Sequence, residues 1–201
     1  MSRRSLLLPA AGLVLLLGLA GGASAAPRPS NKVGSRDAVA AQIRSAASEL
    51  SWPALPDFLT AAGYTESRFN PALTNASGRR GVFQLDPDSA LLYDLAGVDP
   101  ALLYDVNFAV VAAAYYTVRL AKYRGPKRLD ELTGLDLRRG WAYPSLVDDY
   151  DEKEQRSREV RARLEQAEQA TGVRVADRLM FPPGWSWIGV PEALRRVGGK
   201  M

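Results

Sequence analysis

The chain contains no histidine and no cysteine. Without histidine there is no Ser–His–Asp triad, no Cys–His pair and no histidine-ligated zinc. Acid/base chemistry, if the chain performs any, falls to a carboxylate, a lysine, a tyrosine or water. Without cysteine there is no disulfide framework and no N-terminal cysteine to carry a lipid. Strong charge of one sign is missing too. A net charge of +4 at pH 7 is too small to argue for a nucleic-acid partner, which calls for a clustered basic face. Past residue 25 no segment reaches about 18 uninterrupted apolar residues, so no stable membrane span is expected there. Alternation of the β type is lacking, as is any internal repeat.

What is present is enough for a folded core. Hydrophobic residues make up 47% of the 201 and charged residues 24%, an ordinary globular balance. One domain is expected, with length to spare. The first 25 residues have the form of a signal peptide: Arg3 and Arg4, then an apolar stretch from Leu6 to Leu19, then Ala23-Ser24-Ala25 as an A-x-A site. Export to a periplasm or to the outside is therefore expected. Losing those two arginines lowers the net charge from +4 to +2, compatible with a mildly anionic polymer as partner.

The rest reads as all-α. Residues 26–36 form a flexible lead-in with two prolines. Ser35 caps a helix beginning near Asp37, with Val39, Ile43 and Leu50 on one face. A second helix starts near Pro56 and ends near Ser67, since proline is tolerated at a helix start. A glycine- and asparagine-punctuated loop runs to Gly81. A third helix is expected between Pro87 and Gly97. The most apolar helix spans Asp105 to Tyr123, with Val106, Val110, Ala114, Val118 and Ala121 inward. Arg138 to Pro144 reads as a helix end entering a turn. Asp148 to Thr171 is a charged helix with Glu152/Arg156, Glu154/Arg158 and Glu159/Arg163 pairs. A tail rich in proline and tryptophan follows. The expected organisation is a domain over 37–147, with a C-terminal helix and tail over 148–201 packing on it.

Glu66 stands out because it ends a mostly apolar helix, after Phe58, Leu59, Ala61 and Ala62. Apolar surroundings and the negative end of a helix both disfavour a carboxylate, so the expectation is a raised pKa. Such a group is poised to donate a proton to a glycosidic oxygen. Gln84 adds an amide that both donates and accepts. Gly78 and Gly81 read as loop residues with positive φ.

Tyr64-Thr65-Glu66-Ser67-Arg68-Phe69-Asn70-Pro71 resembles the Glu-Ser-x-Phe-x-Pro block of soluble-type lytic transglycosylases, relatives of goose-type lysozymes. Ser77 to Leu85 is similar to that family's Ser-x-x-Gly-x-x-Gln element, with Gln84 as its glutamine. Pro87, Ser89 and Ala90 are similar to its Pro-x-Thr-Ala helix start, and Ala142-Tyr143 to its Ala-Tyr-Asn motif. The resemblance spans roughly 40–145. Two positions differ: Phe83 stands where the family has methionine, and Pro144-Ser145 follow Tyr143 where it has asparagine.

The resemblance implies a lysozyme-like fold and cleavage of peptidoglycan glycan strands with no metal or cofactor. Glu66 is then the single catalytic acid/base, with Ser67, Phe83, Gln84 and Tyr143 against the substrate. The substrate's own N-acetyl group assists, and a 1,6-anhydromuramyl end forms. Two alternatives share the scaffold. A hydrolytic muramidase would recruit Asp86 or Asp88 as a second carboxylate, although Asp86-Pro87-Asp88 also reads as a helix cap. A non-catalytic peptidoglycan-binding or assembly accessory protein would keep the groove without turnover.

Overall fold

In the computed structural model, which describes residues 34–89, 99–123, 133–142 and 150–177, the first helix begins where its cap predicts. Ser35 Oγ accepts from the Ala38 amide at 3.3 Å, and α1 runs Arg36–Ser48 with Val39, Ile43 and Ala47 buried. Helix α2, Leu55–Ser67, carries Pro56 in its first turn, where a missing N–H costs nothing. A 3-10 turn at Pro100–Tyr104 is capped by Asp99, whose Oδ1 accepts from Ala101 N at 2.8 Å. Asp105 then caps α3, accepting from Phe108 N at 2.8 Å. Helix α3 spans Val106–Tyr123, α4 spans Gly134–Ala142 and α5 spans Tyr150–Thr171.

The core is built around α3, where Val110, Ala112, Ala113, Ala114 and Tyr115 have no exposed surface. The α1 and α2 helices pack on it and on each other, while α5 packs against α2 and α4. Phe58, Trp52 and Leu120 are almost wholly enclosed. Each such side chain contributes roughly 1.5–3 kcal/mol by leaving water. The described residues contain no strand. Two isolated bridges, Thr74 with Arg80 and Arg80 with Leu85, knit the loop after α2.

Helix α5 is charged, but its narrow apolar stripe is used: Val160 and Ala167 are buried and Leu164 partly so. Past Gly172, Val173 and Val175 turn inward. Val175 lies so close to Gly134 at the start of α4 that a Cβ there would fall 2.6 Å from its Cγ1. Helix α5 thus meets α2 and α4, and Val175 meets the start of α4. The expected signal peptide and most of the expected lead-in, the helix expected between Pro87 and Gly97 from residue 90 on, and the Pro/Trp-rich tail past 177 lie outside the described residues. Among those described, no helix is long and apolar enough to cross a membrane.

Candidate active site

The last turn of α2 presents Thr65, Glu66 and Ser67, and the chain then reverses sharply. Arg68 and Phe69 both adopt left-handed backbone, with φ of 55° and 61°. The Phe69 amide reaches back to Gly63 O at 3.3 Å, and the Arg68 amide to Tyr64 O at 3.0 Å. This is a Schellman-like helix end made without glycine. Phe69 stays because its ring is buried edge-on to Tyr64, at 5.8 Å between centroids. Arg68 stacks on the same tyrosine at 4.0 Å. A third non-glycine residue with positive φ, Gln84 at 49°, lies across the loop. Left-handed conformations of such residues cost about 1–2 kcal/mol each and gather at sites of function. Three of the four among the described residues, Arg68, Phe69 and Gln84, fall within the Tyr64–Pro71 and Ser77–Leu85 blocks; the fourth, Ser51 at 56°, lies between α1 and α2.

Ser67 joins those blocks. Its Oγ lies 2.8 Å from Val82 O and 3.2 Å from Gly63 O, and accepts from Asn70 N at 3.1 Å. The hydroxyl is buried. It fastens the 80–85 turn to the end of α2, and it is not among the residues lining the groove. Gly81 sits where the Leu103 carbonyl presses on the loop, and a Cβ would land on that oxygen. Its φ of 74° requires glycine independently.

These contacts enclose a groove of about 200 Å³. Glu66, Phe83, Gln84 and Asp86 line it from the α2–loop side, together with Arg79, Leu85 and Ser89. Tyr116 of α3 and Trp141 of α4 complete the wall. Glu66 and Gln84 thus face one cavity. Trp141 organises the wall, meeting Phe58, Phe83 and Tyr116 edge-on at 6.1, 6.0 and 5.4 Å. The Gln84 amide nitrogen donates to Leu73 O at 3.0 Å and to Gly81 O at 2.9 Å. Both partners are acceptors, which fixes the orientation of the amide and leaves its carbonyl oxygen as the group offered to a ligand. Asp86 lines the groove while its Oδ1 accepts from Asp88 N at 3.0 Å, so the capping geometry and the groove-facing position coexist. Tyr143 lies outside the described residues.

One partner of Glu66 is absent from the sequence reading. Arg138 on α4 places Nη2 2.9 Å from Glu66 Oε1 and 2.6 Å from Thr65 Oγ1. Its side chain is 5% exposed against 22% for Glu66. Apolar neighbours and a helix end are thus joined at Glu66 by a guanidinium within hydrogen-bonding distance. A signal for Arg138 was nonetheless present. Thr133-Gly134-Leu135-Asp136 forms a capping box, with Asp136 N donating to Thr133 Oγ1 at 3.0 Å and Asp136 Oδ2 accepting from Thr133 N at 3.1 Å. Counting from that cap puts Leu137, Arg138 and Trp141 on one inward face: a lone cation in an apolar stripe. Trp141 and Tyr116 could be found from sequence only as core aromatics. Comparison with protein-family models, with curated proteins and with solved structures returned no match.

Proposed function

We propose that the chain is an exported lytic transglycosylase with a lysozyme-like fold, cleaving the β-1,4 bond between N-acetylmuramic acid and N-acetylglucosamine in peptidoglycan. The observation that carries the reading is the convergence of Glu66 and Phe83-Gln84, the two blocks of the resemblance, on one groove. Glu66 in its acid form gives its proton to the glycosidic oxygen as the C1–O4 bond breaks. The neighbouring N-acetyl group stabilises C1 as an oxazolinium-like species. The Glu66 carboxylate then takes the proton of the muramyl C6 hydroxyl as O6 closes on C1. Glu66 ends protonated as it began, and no water is consumed. The Gln84 carbonyl oxygen suits an acetamido N–H, and Trp141 and Tyr116 offer an apolar wall to a sugar ring.

A second reading is favoured by one observation: Asp86 lines the same groove as Glu66. An inverting hydrolase needs a second carboxylate about 6.5–9.5 Å away to activate water. Mass spectrometry of peptidoglycan digested with the chain lacking residues 1–25 separates the outcomes. Anhydromuramyl ends support the transglycosylase, and reducing ends the muramidase. Binding without release would overturn both and leave the accessory role.

A further inference from the structure

We propose that Arg138 is a positioning residue for Glu66: it holds Oε1 of the carboxyl group against the α4 wall, so that the proton bound for the glycosidic oxygen is carried on Oε2. The inference rests on the reading of Glu66 as the general acid. A guanidinium has N–H donors only and cannot accept a proton. The oxygen 2.9 Å from Arg138 Nη2 is therefore an acceptor in either state of Glu66. When the group is neutral, its proton sits on the other oxygen, and the choice between the two oxygens of a free carboxylic acid is removed.

The clamp is itself held by neighbours. Thr65 Oγ1 donates its proton to Ala62 O at 2.9 Å, which turns a lone pair toward Arg138 Nη2 at 2.6 Å. The guanidinium carbon lies 5.3 Å from the centroid of Trp141, a groove-lining ring. Helix α4 thus sets the groove wall and the carboxyl orientation together. Arg138 is also a poor element for stability alone. Its Nη1 is buried with no hydrogen-bond partner among the described residues, and an unanswered buried N–H is costly. Local costs of this kind are tolerated where a site needs them.

The test measures kcat and KM of muropeptide release from soluble glycan strands for wild type, Arg138→Met and Arg138→Lys. Misplacing an acid by about an ångström can cost on the order of 100-fold, so Arg138→Met should lose about 10–100-fold in kcat with KM nearly unchanged. Lysine, which keeps the charge but not the fork, should recover part of the loss. A folded Arg138→Met enzyme with wild-type kcat overturns the proposal. If that variant does not fold, Thr65→Val carries the test, because it removes the anchor of the guanidinium and leaves the ion pair. A kcat loss with unchanged KM is expected there, and unchanged kcat overturns the proposal. Wild-type chain that releases neither anhydro nor reducing ends refutes the transglycosylase reading, and the positioning role with it. Active wild type with indifferent variants refutes the positioning role alone.

Discussion

A carboxyl group and a guanidinium that meet at 2.9 Å, one 22% and the other 5% exposed, cannot be altered independently. Glu66→Gln preserves volume and removes the acid, so release of anhydromuropeptides should fall by about 10³-fold or more, at the upper end for general acid catalysis. Sacculus binding should persist, since the groove walls remain. Stability should not be untouched. The amide leaves the Arg138 charge buried without a counter-charge, which costs about 1–3 kcal/mol. Breaking one side of a buried pair is worse than replacing both, so Glu66→Gln with Arg138→Met should be closer to wild type than the sum of the single variants. Urea denaturation of the four proteins measures the coupling. Contacting residues couple by about 0.5–3 kcal/mol, and strict additivity would mean that the pair does not exist in solution. Undiminished release from Glu66→Gln would assign the chemistry to another residue.

Among the elements, the helices were legible because each carries its own punctuation: Ser35 before α1, Pro56 at the start of α2, and the apolar run of α3. The end of α2 was legible in position but not in geometry. Nothing in Ser67-Arg68-Phe69 announces two left-handed residues in succession, since packing of Phe69 on Tyr64 supplies the compensation. Arg138 was missed because its partner lies 72 positions away, and local pattern does not reveal which apolar stripe a distant carboxylate will meet. The glycines of the connecting loop divide more sharply in the structure than in the sequence. Both Gly78 and Gly81 have positive φ, but a Cβ at Gly78 meets nothing within 4 Å, while one at Gly81 strikes the Leu103 carbonyl. Gly78→Ala should therefore cost about 1–2 kcal/mol from backbone conformation alone. Gly81→Ala should cost clearly more and should also lower kcat, because displacement from Leu103 moves Phe83 and Gln84. Thermal melts and activity of the two variants check this, and equal effects would place the Leu103 contact in error.

At the scale of the whole molecule, export and the C-terminal segment make separate claims. Processing after Ala25 should give protein beginning at Ala26, and N-terminal sequencing of exported protein that finds an intact Met1 would refute cleavage. The C-terminal segment bears on the site through α4. Helix α4 carries Trp141 and Arg138, but it is short, and helices of that length are marginal without tertiary support. Its support comes from α3, from α5 and from the chain beyond Gly172, where Val175 packs against Gly134 and its amide donates to Glu168 Oε1 at 2.7 Å. Val175 is 8% exposed, so Val175→Asp buries an unpaired carboxylate beside the first turn of α4 and should destabilise by several kcal/mol. The carboxylate at Glu168 is close enough to the Val175 amide to add like-charge repulsion. A helix loosened at its N-terminus no longer holds the guanidinium against Glu66, so the folded fraction should also lose kcat. Val175→Ala, which removes apolar surface without adding charge, should lower the melting temperature less and largely spare kcat. Parallel melting and turnover measurements decide the matter. If Val175→Asp melts early but turns over normally at low temperature, the C-terminal segment contributes to stability and has no hold on the groove.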